Sequence, residues 1–325
     1  MIRVGRRDVI LAAMALPAVA RAQPAQRRHR LGYLTGGSVA TRQKWIGALL
    51  EGLAEQGYER GRNLDILLKG ADTRFERLPA LAAEMLAWKP DVIVASTTPG
   101  VLAAKAATTR IPIVMVAQGD PLGVGIVRSL ARPEANVTGF SNATVELVGK
   151  RVQLLKDMLP RARRFAAIVN SDDSNVERQM ANARTTAQAL GIELAPIVQV
   201  RGVRDLDAAL AQAAAADGAV RFVDPLTSVL RPAIQQAAAR HRVPVSYPFA
   251  EDVALGGLMA YGANQAHIYR RAAQAVHRLL RGATPAEIPV ELPTVYEFAI
   301  HLGAARALGI TVPQSLLAGA TDVFE

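Results

Sequence analysis

The sequence contains no cysteine. That excludes disulfide frameworks, thiolate metal sites, cysteine nucleophiles and lipid attachment through a cysteine. Aromatic residues are scarce at 5%. Beyond the first 22 residues the basic residues stand singly or in pairs such as Arg163-Arg164 and Arg270-Arg271, apart from Arg27-Arg28-His29-Arg30. A net charge of +10 without clustered cations and interleaved aromatics is a weak nucleic-acid footprint, so no nucleic-acid partner is expected. Catalytic signatures are missing too. There is no phosphate loop, and Gly123-Val124-Gly125 has Arg128 where a dinucleotide fingerprint needs its third glycine. Gly36-Gly37-Ser38-Val39-Ala40 falls one residue short of a nucleophile elbow. The five histidines never take metal-ligand spacing; His267 and His277 share a predicted helix but lie on different faces. No catalytic residue, metal or cofactor is therefore expected.

What is present begins with the first segment. Arg3, Arg6 and Arg7 precede an apolar run from Val9 to Ala20, and Ala20-Arg21-Ala22 places small residues at both cleavage-specifying positions. Basic, apolar, then small-x-small is the layout of a bacterial export signal. The run is about a dozen residues, too short to span a hydrocarbon core of about 30 Å as a helix. Residues 1–22 read as a leader cleaved after Ala22. Arg6-Arg7-Asp8-Val9-Ile10 approximates the twin-arginine pattern, which leaves that route and general secretion both open.

From Arg30 onward, short β-rich runs alternate with amphipathic helical stretches. Leu31–Leu34, Leu64–Leu68, Val92–Ala95 and Ile113–Val116 read as strands. Leu78, Leu81, Ala82, Met85 and Leu86 form the apolar stripe of a core-facing helix. After a break at residues 136–141 the alternation restarts, with strands at 165–169, 193–199, 219–223 and 243–246. Repeated βα alternation with fully apolar strands predicts parallel, doubly wound sheets. The expected fold class is α/β, with two such lobes joined by a hinge of several crossovers. The expected boundaries are 23–140 for the first lobe, 141–257 for the second, and a return to the first at about 258–290. Residues 291–325 add a strand and a helix at the hinge.

Ligands of open α/β sheets sit beyond the carboxyl ends of the strands. In the first lobe this singles out Ser38, the run Ser96-Thr97-Thr98, and Gln118 with Asp120. The hydroxyl run opens a helix, where free backbone N–H groups also favour an anion. A plain helix cap would look similar. In the second lobe the same rule gives Asn170, Asp172 and Asp173, then Asp224, then Tyr247 with Glu251. Tyr261 joins Tyr247 as a candidate aromatic wall. Carboxylates gathered on one side suit a zwitterionic or cationic ligand better than a polyanion.

Several stretches resemble the ABC-transporter substrate-binding protein family of the type I periplasmic two-lobed fold, the group with putative tryptophan- and tyrosine-binding members. They include Ile111-Pro112-Ile113-Val114, Asp120-Pro121-Leu122-Gly123-Val124-Gly125, Asn136-Val137-Thr138-Gly139-Phe140-Ser141, Gly256-Gly257-Leu258-Met259-Ala260-Tyr261-Gly262 and Ala307-Leu308-Gly309-Ile310-Thr311-Val312-Pro313. The likeness covers nearly the whole chain after the leader, in order. Glu134-Ala135 stands where the family usually has glycines, and Ala260 where it often has serine. The resemblance implies a monomeric periplasmic receptor that binds a small molecule, such as an amino acid, and delivers it to an inner-membrane ABC permease. Two other readings stay on the table: an exported α/β hydrolase, and a ligand-sensing effector core of the same fold.

Overall fold

The computed structural model describes residues 28–133 and 135–325, so the expected leader lies outside the described residues. The first lobe is built on a parallel sheet of β1 (His29–Thr35), β2 (Leu64–Gly70), β3 (Val92–Ser96), β4 (Ile113–Gln118) and β5 (Val137–Ser141). Between the first four strands run α1 (Gln43–Glu55), α2 (Leu78–Ala87) and α3 (Thr98–Ala107). The strand order is β2-β1-β3-β4-β5. That order reverses direction between β1 and β3, and such a switch point leaves a crevice at the strand ends. Side-chain alternation sends Tyr33, Val94 and Val114 to one face, against Trp45, Leu49 and Leu53 of α1. Leu34, Ile93 and Met115 go to the other, against Leu78, Leu81 and Met85 of α2.

The second lobe follows with α4 (Thr144–Met158), β6 (Arg164–Val169), α5 (Val176–Ala189), β7 (Glu193–Gln199), α6 (Leu206–Ala213) and β8 (Gly218–Arg221). It continues through α7 (Pro225–Val229), α8 (Arg231–Arg240), β9 (Val245–Tyr247), α9 (Ala250–Ala254) and β10 (Met259–Ala263). The chain ends with α10 (Gln265–Leu280), β11 (Tyr296–His301), α11 (Leu302–Leu308), α12 (Gln314–Gly319) and β12 (Asp322–Phe324). The second sheet runs β12-β11-β10-β9-β8-β6-β7. It too is covered on both faces by apolar clusters.

Four details differ from the sequence expectation. The stretch taken as a break at residues 136–141 contains β5, whose polar Thr138 and Ser141 are buried because their hydroxyls bond to the carbonyls of Ile288 (2.5 Å) and Gln118 (2.9 Å). The return to the first lobe starts later than residue 258: β10 pairs with β9 and β11 in the second sheet, and it is α10 that packs back on α1. The sheet is not wholly parallel, since β10 and β11 are antiparallel. Finally, the C-terminal segment supplies two strands of the second sheet, β11 and β12, where one strand at the hinge was expected.

The chain therefore crosses between the sheets at residues 141–144, 263–265 and 291–296. The third crossing is tied to the first lobe by backbone bonds, Glu291 N–H to the Gly139 carbonyl (2.9 Å) and Ser141 N–H to the Glu291 carbonyl (2.9 Å). Close-set crossings of this kind make a hinge, and they point the carboxyl ends of both sheets at one another.

Candidate functional site

A cleft whose open space, mouth included, is about 460 Å³ lies where the two sets of strand ends face each other. Arg42, Trp45, Thr97, Thr98, Ala117 and Gly119 line it from the first lobe. Asp173, Asn175, Val223, Asp224, Pro225, Ser228 and Phe249 line it from the second, and Asn142, Thr144 and Gln265 from the crossings.

The first-lobe wall is held by an irregular backbone. Thr97 has φ 65° and ψ 151°, a region nearly reserved for glycine. Its hydroxyl oxygen repays this by accepting from the backbone N–H groups of Gly36 (3.1 Å) and Gly100 (3.4 Å), so it ties the β1 loop to the start of α3. Ala117 (φ 52°) also lines the cleft, and Ala143 (φ 51°) stands between the lining residues Asn142 and Thr144. Strain gathered at one edge of a fold is a mark of a functional site.

Arg42 is the electrostatic centre of this wall. It is only 4% exposed, yet no carboxylate pairs with it among the described residues. Its Nη1 reaches only the Ser38 carbonyl and Thr41 Oγ1, both at 3.4 Å, and its Nε has no partner. The guanidinium carbon lies 5.8 Å from the Trp45 ring centre. Gly37 makes room for it, because a Cβ there would sit 2.2 Å from Arg42 Nη1.

The opposite wall carries two carboxylates. Asp224 caps α7, accepting from the N–H groups of Leu226 (2.8 Å) and Thr227 (3.0 Å), and it also accepts from Asn170 Nδ2 (3.2 Å). Burial raises its pKa above the ordinary aspartate value. Asp173 is pushed up to about 7, first by burial and then by the neighbouring Asp224 charge. Its folded pKa thus exceeds the unfolded value near 3.8, so this group favours the empty folded state at low pH and withdraws that support as pH rises from about 4 through 7. A ligand ammonium needs the ionised form. Affinity for a ligand that carries an ammonium should therefore increase between pH 5.5 and 8, with proton release on binding. Calorimetry in buffers of different ionisation enthalpy measures both, and a flat profile would contradict this role for Asp173.

The lobes are closed on each other. Trp45 Nε1 donates to Glu251 Oε1 (3.0 Å), and Lys44 Nζ reaches the same oxygen (3.4 Å). The Trp45 and Phe249 rings meet edge-on at 5.8 Å. Asn175 Nδ2 donates to Thr98 Oγ1 (3.1 Å), and Arg178 Nε lies 3.4 Å from Asp120 Oδ2. Every one of these contacts joins a first-lobe residue to a second-lobe residue.

Of the residues singled out from sequence, Thr97, Thr98, Asp173 and Asp224 line the cleft. Ser96 does not: its hydroxyl is buried in the first-lobe core, 2.9 Å from the Tyr33 hydroxyl. Ser38 supports the turn before Arg42, accepting from Ala40 N–H (3.3 Å). Gln118 is wholly buried at the end of β4, and neither polar atom of its side-chain amide has a partner among the described residues. Asp120 and Glu251 join the lobes rather than line the cavity, and Asn170 stands behind Asp224. Asp172 is exposed. Tyr247 is buried against Arg221, and Tyr261 stacks on Tyr296 at 6.0 Å; neither forms the aromatic wall. That wall is Trp45 and Phe249, which sequence reasoning missed along with Arg42, Asn142, Thr144, Asn175, Ser228 and Gln265. Asn175 and Phe249 follow strands of the second sheet, so the strand-end rule that found Asp173 and Asp224 could have found them.

Two doubly wound lobes, hinged by three crossings and facing across a charged cleft, have the two-lobed fold of the type I periplasmic binding proteins. The chain belongs to the ABC transporter substrate binding protein family, whose model matches residues 38–324. It is similar to a tyrosine-binding protein of Clostridioides difficile, 26% identical over 263 residues that cover 80% of this chain and 74% of that one. A conserved domain protein from Vibrio cholerae superposes with a TM-score of 0.86 at 28% identity, covering 91% of this chain and 100% of that one. An ABC domain from Streptococcus pneumoniae in complex with L-Trp shares the fold with a TM-score of 0.85 at 23% identity, over 91% of this chain and 100% of that one.

Proposed function

We propose that this protein is the extracytoplasmic receptor of an ABC importer, closing as a monomer on an α-amino acid or close relative and handing it to a membrane permease. The observation that carries the ligand class is Arg42, a buried guanidinium on the wall of the inter-lobe cleft that has no carboxylate partner among the described residues. A ligand carboxylate supplies the missing counter-ion, in a bidentate geometry suited to arginine. Asp173 and Asp224 on the facing wall suit the ammonium, and Trp45, Phe249, Val223 and Pro225 suit an apolar or aromatic side chain. A relative named a tyrosine-binding protein and a structural neighbour in complex with L-Trp support an amino-acid ligand.

The export-signal layout of residues 1–22 supports a periplasmic location, and among the described residues no helix is long and apolar enough to cross a membrane. A binding rather than catalytic role is supported by the cleft lining, which contains no histidine to activate its serine or threonine hydroxyls. The dispersed basic residues speak against a nucleic-acid partner.

Calorimetric titration of ligand-stripped protein with L-tryptophan, L-tyrosine and tryptamine tests the ligand class. At least one of the amino acids should bind, and tryptamine, which lacks the carboxylate, should bind at least about 100-fold more weakly than L-tryptophan if that is the one. Tryptamine binding as tightly as L-tryptophan, or no binding by any amino acid of a wider panel, sinks the reading.

A further inference from the structure

Three side chains on the cleft wall are more than nine-tenths buried, and each keeps one polar atom without a partner among the described residues: Arg42 Nε, Asn175 Oδ1 and Gln265 Oε1. The first is a donor and suits the ligand carboxylate. The other two are acceptors, and they ask for a donor that the protein does not supply.

We propose that Asn175 reads the ligand's ammonium group, with its amide oriented from the other lobe by Thr98, so that amine recognition is complete only when the lobes are closed. This rests on the amino-acid reading above. Asn175 sits at the start of α5 in the second lobe, and its backbone N–H donates to Asp173 Oδ1 (2.9 Å), which fixes the two residues side by side. Its Nδ2 spends one proton on Thr98 Oγ1, the cross-cleft bond, and this turns Oδ1 away from Thr98. The result is a neutral acceptor next to an acidic one. A primary ammonium carries three N–H donors and satisfies such a set, whereas a hydroxyl carries one. Thr98 is held in turn by the strained Thr97 turn that opens α3, so the amide's orientation is inherited from the first lobe.

The opposite amide orientation would present Nδ2 to the cleft, and the test separates the two. Ligand-stripped wild type, Asn175→Ala, Asn175→Asp and Thr98→Val are titrated with L-tryptophan, L-tyrosine and their deaminated counterparts, indole-3-propionate and 3-(4-hydroxyphenyl)propionate. Wild type should prefer the amino acid by at least about 100-fold. Asn175→Ala should shrink that preference at least about tenfold by weakening the amino acid and leaving the deaminated acid unchanged. Asn175→Asp should keep it, because the Thr98 hydroxyl can donate to the new carboxylate. Thr98→Val should shrink it less than Asn175→Ala does. An undiminished preference in Asn175→Ala, or loss of amino-acid binding in Asn175→Asp, overturns the proposal while leaving the amino-acid reading intact. A wild type that binds no amino acid overturns both. If Asn175→Ala does not fold, Asn175→Asp and Thr98→Val decide.

Discussion

Replacing Arg42 by methionine is expected to weaken amino-acid binding by at least about 100-fold while raising the melting temperature of the ligand-free protein. The two effects have one cause. A guanidinium withdrawn from water without a counter-ion is costly, and two hydrogen bonds at 3.4 Å return little of that cost. Methionine replaces the aliphatic stem of the arginine, can pack on Trp45 and carries no charge to desolvate. The empty protein thus loses a liability and the bound protein loses its anion receptor. Calorimetric titration and thermal denaturation of the stripped protein measure the two halves separately. A variant that loses stability and binding together would show that Arg42 braces the turn at residues 37–42 instead of waiting for a ligand.

The second large effect lies beneath the cleft. Asp252 is fully buried and holds two arginines, Arg221 through Nη2 (2.8 and 3.1 Å) and Arg231 through Nε (2.8 Å). Arg151 stands in the same electrostatic neighbourhood with its pKa lowered to about 9, by burial first and by the Arg221 charge second, against a raising contribution from Asp252. Asp252→Ala would leave this interior with cations and no central anion. Breaking a buried pair by removing one partner costs about 3–5 kcal/mol, so the urea midpoint should fall sharply. The loss should reach the cleft as well, because the Asp252 carboxylate also accepts from Phe249 N–H (3.2 Å) and so sets the entry of α9, where Phe249 faces the ligand space. A midpoint shift worth under about 1 kcal/mol would mean that water replaces the carboxylate there.

Most strands of both sheets were legible in the sequence because doubly covered strands are apolar runs that stand out from the amphipathic helices around them. β5 was not, since its polar residues are satisfied by carbonyls from chain segments distant in sequence, which no local pattern reveals. The site was legible only where it follows a strand directly, as at Thr97, Thr98, Asp173 and Asp224. Ser96 illustrates a missed clue: it lies two residues after Val94, on the face that packs against α1, so alternation already assigned it to the core. Arg42 carried no such clue. A lone arginine entering a helix normally lies on the surface, and no local pattern marks this one as buried.

The chain has two tryptophans. Trp88 lies in the first lobe beneath Arg30, whereas Trp45 spends its indole N–H on Glu251 in the second lobe and touches Arg42 and Phe249. Opening the hinge must break that bond, wet the ring and separate it from Phe249, while the Arg42 contact and the surroundings of Trp88 stay within the first lobe. The molecule thus contains its own optical gauge of domain motion. In a Trp88→Phe background, the wavelength of ultraviolet emission becomes a direct record of how far the two halves stand apart.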